Sequence, residues 1–211
     1  METLPASIWS LCLVLYILFM AWHQNWRGAL KPHEIDEFLA QLKAGGARLD
    51  DTKVSVLEAF MRSDTGREFY MLNLIKFPDG DIQHPATGET TTGPKLLQSY
   101  FRPFASLILK AAGYPAFNAR IRAEYIEDWG VETNPGWQII GLMRYRSRRD
   151  LMKAVTNPQF HGVHGYKQLA LEATLALPVE TLSTLMPSPR VWLALVLITI
   201  SSLSQLIYLT F

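Results

Sequence analysis

A single cysteine, Cys12, stands in 211 residues. No disulfide can therefore form within the chain, and a cysteine-rich zinc or iron–sulfur site is excluded. Charge of one sign is also lacking: twenty Lys and Arg against nineteen Asp and Glu leave a formal net charge of +1. Nothing in that balance asks for a polyanion, so no nucleic-acid partner is expected. There is no P-loop, dinucleotide fingerprint, G-x-S-x-G or H-E-x-x-H, and no internal repeat. No cofactor and no metal is implied by any complete motif.

What is present is apolar sequence gathered at both ends. Leu4–Trp22 runs for about nineteen residues without a charge, close to the roughly twenty that cross a bilayer core. A cleaved signal peptide would want a basic start and a small-residue cleavage site. Glu2 precedes this run, and it leaves through Trp22, His23 and Trp26, so it reads as an anchor. Val191–Phe211 is likewise uncharged, with Trp192 and Tyr208 near its ends, where such rings favour membrane interfaces. Arg27 and Lys31 follow the first run and Arg190 precedes the second. The excess of basic residues on that side places residues 23–190 in the cytoplasm and both termini outside, in a two-span protein of the inner membrane. Ser201, Gln205 and Tyr208 make a polar stripe on the second span. Polar groups at that depth meet another helix, either the first span or another protein.

Between the spans the periodicity changes. Residues 31–66 read as a helical lead-in. Ile35, Phe38, Leu39 and Leu42 share a face, and a second short helix starts near Asp51 or Thr52. From Arg67 to residue 186 the order is strand, helix, strand, strand, helix, strand: a ferredoxin-like α+β domain between two membrane helices. "REFYMLNLIKF" is the first strand and "PDGDIQHPATGETTTGP" a turn-rich loop. "KLLQSYFRPFASLILKAAG" is a helix interrupted or kinked at Pro103. "AFNARIRAEYIED" alternates as the second strand, with Phe117, Ala119, Ile121, Ala123 and Tyr125 on one face. "WQIIGLMRYR" is the third strand, Ser147 caps the next helix, and the helix of "QFHGVHGYKQLALEAT" follows Pro158. A last strand lies within "LALPVETLSTLM". First and last strands then neighbour each other antiparallel, so chain entry and exit are close.

"FYMLNLIKF", a following Trp, "LMRYRSRRDLMKAVTNPQF" and "KQLALEAT" resemble an uncharacterised bacterial branch of the dimeric α+β barrel superfamily. That branch shows an "mLNLl-F" strand, a "W…VRYPSR" strand, a "dPeY" break and an "HR-AAL" run. The resemblance covers roughly residues 67–178 and neither apolar run. It implies sheets paired into a two-chain barrel around a small cleft. It also implies a choice among cofactor-free monooxygenases, isomerases and haem-handling proteins, so fold leaves function open. The family's Pro in "RYPSR" is Arg146 here, and its "HR" pair falls on Tyr166 and Lys167.

Four residues are candidates for chemistry. Asn73 is an amide among apolar strand residues and must find hydrogen-bond partners, in a cleft or on neighbouring backbone. Arg144, if inward, suits a carboxylate or enolate. His164 and Tyr166 lie on the last helix, where Tyr166 or Lys167 is the expected cleft-facing member. Tyr100, Trp137 and Tyr145 are further candidates for the lining, and Tyr145 must point opposite to Arg144. His161 and His164, i and i+3, could share a metal only with a third ligand such as His33, His84 or Glu172. The missing catalytic constellation, the two spans and the polar stripe together suggest an accessory or structural subunit of a membrane complex. Its partners would be the bilayer and a membrane protein or a second copy. The alternative is a tethered cofactor-independent monooxygenase or isomerase for a small apolar substrate, which requires a dry cleft holding Asn73 with a titratable group. A haem-binding protein, the third reading, would show a Soret band.

Overall fold

The computed structural model describes residues 3–44, 51–184 and 187–210, and the chain divides into two compact units. One holds the two ends, 1–26 with 181–211, and the other spans Arg27–Glu180. The terminal unit consists of helices α1 (Thr3–His23) and α7 (Pro189–Thr210), both long and apolar enough to cross a membrane. They pack on each other and run antiparallel: Trp9 Nε1, near the start of α1, donates to Gln205 Oε1 near the end of α7 at 3.1 Å. Ser201 and Cys12 are buried, whereas Leu11, Leu18, Leu203 and Leu206 stay exposed around the pair. Gln205 of the polar stripe thus meets α1 within the same chain.

The larger unit is mixed α+β. Its sheet contains β1 (Phe69–Lys76), β4 (Tyr114–Arg120), β5 (Ile139–Tyr145) and β6 (Ala173–Val179), in the order β4-β5-β1-β6, all antiparallel. First and last strands are neighbours as expected, with Asn73 opposite Ala176. Pro178 is tolerated because β6 is an edge strand, where a missing donor breaks no ladder. Helices α2 (Pro32–Ala44), α3 (Asp51–Arg62), α4 (Gly93–Lys110), α5 (Arg148–Val155) and α6 (Pro158–Ala170) complete the unit.

Four expectations about elements change. The turn-rich loop contains a hairpin, β2 (Asp81–Gln83) with β3 (Thr90–Thr92), closed by His84 N–H to Glu89 O at 2.8 Å. The three β-branched threonines suit a strand, so the described residues form six strands rather than four. The second strand stops at Arg120 rather than running to Asp128, because β5 begins at Ile139, opposite Arg120, and no strand remains to pair with. The last helix ends at Ala170, and its final residues enter β6. Helix α4 also continues across Pro103 without interruption.

Alternation along the strands decides what the sheet covers. Phe69, Met71, Asn73 and Ile75 of β1 face α4 and α6 together with Ile139, Gly141, Met143 and Tyr145 of β5. Helix α4 answers with Leu96, Tyr100, Phe104 and Ile108, buried at every fourth position. On the opposite face lie Leu72, Leu74, Ile140 and Leu142, with Phe117, Leu175 and Leu177 each more than two-fifths exposed. A second cluster, Leu30, Ile35, Phe38, Leu42, Met61 and Met152, fastens α2 and α3 to α5. Glu34 reinforces it, accepting from Arg149 Nε at 2.9 Å and from Nη2 at 2.8 Å.

Helix α4 ends on a Schellman pattern, with Ala112 N–H to Leu109 O and Gly113 N–H to Ile108 O. The left-handed position is Ala112 (φ 57°), not Gly113. Gly113 is needed for space instead, since a Cβ there would collide with Ile108 and come within 2.9 Å of Arg144 O.

Candidate functional site

A cavity of about 220 Å³ lies between the sheet and helices α4 and α6. Its floor is Met71, Asn73 and Ile75 of β1 with Gly141 and Met143 of β5, and its roof is Leu97, Tyr100, Phe101 and Phe104 of α4. His164 and Lys167, i and i+3 on α6, lie on one face of that helix and line the cavity as well. The exposed residues Pro115 and Asn118 of β4 mark its edge.

Local sequence explains these placements. A bulge between Pro115 and Phe117 shifts the register of β4, so that Pro115 and Asn118 line the cavity while Phe117 faces the other way. Gly141 gives Asn118 its room, since a Cβ there would stand 2.7 Å from Asn118 Oδ1. Asn73 donates from Nδ2 to Met71 O at 3.0 Å, which fixes the amide while its carbonyl oxygen stays available to a ligand. Asn73 thus bonds neighbouring backbone and lines the cavity as well.

Burial dominates the electrostatics. It raises the phenols of Tyr100 and Tyr145 well above their ordinary range, and the nearby Tyr100 adds to the effect on Tyr145. Both are neutral donors at ordinary pH. Burial lowers the Lys167 ammonium. Lys167 Nζ stands 5.8 Å from the Tyr100 ring centroid, and the His164 ring meets Tyr100 edge-on at 6.1 Å. Among the described residues no carboxylate lines the cavity.

The four candidates separate. Asn73 and His164 meet in the cavity; Arg144 and Tyr166 lie outside its lining. Arg144 is almost wholly buried on the far side of β5, with Nη2 donating to Glu68 Oε2 at 2.5 Å and Nη1 to Ala112 O at 2.5 Å. Its guanidinium lies 5.4 Å from the Tyr114 ring centroid. It thus ties β5 to the end of α4, where the left-handed Ala112 needs a fixed partner. Tyr166 packs against the main core cluster and its ring centroid is 5.6 Å from that of His84. Tyr100 and Tyr145 line the cavity and Trp137 does not. Lys167, the residue at the Arg position of the resembled "HR" pair, is the cleft-facing member of its pair.

The possible metal ligands stay apart. Among the described residues no group of three His, Cys, Asp or Glu could hold an ion. Glu172 pairs with Lys76 at 2.6 Å, and His84 Nδ1 accepts from the backbone of Ala86 and Thr87. The side chain of His161 lies outside the described residues.

Sequence reasoning missed Leu97, Phe101, Phe104, Asn118 and Gly141. Asn118 had a signal: like Asn73, it is an amide inside an apolar strand. The bulge that turns it inward had none beyond Pro115.

The basic run "RYRSRRD", Arg144–Asp150, is a set of intramolecular pairs. Arg146 grips Asp150 through two bonds of 2.8 Å, Arg148 reaches Asp64 at 3.6 Å, and Arg149 holds Glu34. Burial works to raise the Asp150 carboxyl, but Arg146 and the Ser147 hydroxyl outweigh it and hold it below its usual range. Ser147 caps α5 by accepting from Asp150 N–H at 3.1 Å, as its position before the helix predicts.

No protein-family model and no curated protein matches the chain. Among solved structures, the chain is similar to a protein of unknown function from Rhodopseudomonas palustris. The TM-score is 0.54 at 19% identity, over 64% of this chain and 97% of that one. The methylated form of that protein gives a TM-score of 0.53 at 19% identity, covering 66% and 98%. At that identity the likeness concerns the fold alone. A protein from Arabidopsis thaliana aligns at a TM-score of 0.35 and 15% identity, over 56% and 99%.

Proposed function

We propose that this protein is a membrane-tethered domain that binds, and as an enzyme transforms, a small and largely apolar molecule. The reaction would be of the cofactor-independent monooxygenase or isomerase kind. The observation that carries this reading is the convergence of Asn73, His164, Lys167, Tyr100 and Tyr145 on one mostly apolar cavity. Small-molecule sites combine an apolar lining with a few polar groups and perturbed titratable residues in this way. Helices α1 and α7 are read as the tether, spanning the inner membrane with the larger unit on the cytoplasmic side, as Arg27, Lys31 and Arg190 favour. A bilayer concentrates apolar substrates, which suits such a domain.

The strand order and the two helices over one face support a ferredoxin-like arrangement of the dimeric α+β barrel type. The apolar face bearing Phe117, Leu142, Leu72 and Leu177 favours a second reading of the same chain, in which it docks as an accessory subunit on a membrane protein or on its own copy. Gln205 of the polar stripe, already met by α1, adds nothing to that reading.

The test is extraction of small molecules from full-length protein purified in mild detergent, alongside thermal unfolding with added phenylacetamide. Wild-type protein is expected to release a molecule in stoichiometric amount, or to gain Tm with the probe. Ala176→Phe, which fills the cavity, is expected to do neither. Equal behaviour of the two proteins would overturn the ligand-binding reading, and a stoichiometric membrane-protein partner would then favour the accessory one.

A further inference from the structure

We propose that the ligand of this cavity is a small organic acid: a single ring or short branched body, its carboxylate paired with the Lys167 ammonium beside His164. This deepens the reading above and rests on it.

The argument starts from charge. Lys167 lines a mostly apolar cavity in which no described carboxylate takes part. The other basic side chains of the unit's interior, Arg144, Arg148 and Arg149, each have an acidic partner, in Glu68, Asp64 and Glu34. Lys167 has instead the ring of Tyr100, 5.8 Å away, a weak substitute for a counter-ion. A desolvated ammonium without an anion is costly, and an incoming carboxylate converts that cost into affinity. Burial of Lys167 favours its neutral form, so a bound anion also restores its proton. The polar groups that line the cavity with it are His164 on its own helix, the neutral phenols of Tyr100 on α4 and Tyr145 on β5, and the amides of Asn73 on β1 and Asn118 on β4. None of them repels an anion.

Size then limits the body of the acid. A dry cavity of roughly 150 Å³ accepts benzene. The cavity here, about 220 Å³, takes a ring and a few further atoms. Ile75 and Phe104 receive the ring, and the Asn73 carbonyl oxygen can accept from a hydroxyl on it.

The experiment uses full-length protein in lipid nanodiscs, empty nanodiscs as the partition control, and two isosteric probes, phenylacetate and phenylacetamide. Wild-type protein is expected to bind the acid at least about tenfold more tightly than the amide. Lys167→Met is expected to lose that preference while its affinity for the amide does not fall. Equal affinity of the two probes in the wild type, or a preference surviving in Lys167→Met, would overturn the organic-acid assignment and leave the apolar site standing. Failure of both probes to bind a cooperatively folding wild type at millimolar concentration would overturn the assignment and the ligand-binding reading together.

Discussion

Two basic side chains serve the same sheet in opposite ways. Arg144 sits on one face of β5, almost wholly buried, with Glu68, the Ala112 carbonyl and the Tyr114 ring around it. Lys167 reaches the other face from α6, half-buried, with one aromatic ring and no described carboxylate in its cavity. A cation whose partners all come from its own chain is part of the frame. A cation in an apolar cavity with no carboxylate among the described lining residues is the feature on which the proposed ligand rests. Residue type alone separates the two poorly, since Arg144 looked the better anion receptor in a linear reading.

The largest expected effect breaks the frame. Arg144→Met leaves Glu68 and the Ala112 carbonyl without their donor, and the domain should lose about 3 kcal/mol, seen as a lower unfolding midpoint. A change within a few tenths of a kcal/mol would remove the distinction drawn between the two cations.

A second paired cation sharpens the frame through pH. The Arg149 hydrogen bonds hold the Glu34 carboxyl down to about 2, from an ordinary 4.5, against the opposing effect of burial. Its folded-state pKa is depressed, so its contribution is complete above about pH 4.5 and is lost as pH falls towards 2. Solvent screening of this shallow pair reduces the contribution to about 1 kcal/mol. Glu34→Gln should lower stability at neutral pH by about 1 kcal/mol and flatten the acid limb of the stability curve. An unchanged acid limb would remove Glu34 from the frame.

Smaller effects belong to the cavity. Gly141→Ala places its Cβ against the Asn118 amide, which is exposed and can swing away. It should cost about 1 kcal/mol or less while weakening ligand binding at the cavity edge. Lys167→Met should change stability least, by within about 0.5 kcal/mol, because the substitution removes a desolvated amine and breaks no ion pair. A loss as large as that of Arg144→Met would show that Lys167 belongs to the frame.

Much of the fold was legible because it rests on local periodicity. The apolar ends, the amphipathic α2 and α4, the capped α5 and the strands β1 and β5 follow from residue spacing and from Ser147 alone. The candidate site was half legible. Asn73 and His164 meet in the cavity, where an amide in an apolar strand and a titratable helix residue drew attention to them. Arg144 and Tyr166 fall outside it. For Arg144, alternation required only that it oppose Tyr145. Which face held the cavity depended on where α4 and α6 packed, and no short-range pattern states that.

The linear chain by itself determined two apolar helices, an α+β unit between them and the impossibility of a disulfide within the chain, because composition and period act within a few residues of their source. Only the tertiary structure decided which basic residues are paired. Lys167 and Tyr100, or Arg144 and Glu68, are brought together by strand order and by the bulged edge of β4, and whether a buried charge finds a counter-charge depends on contacts between residues far apart in the chain.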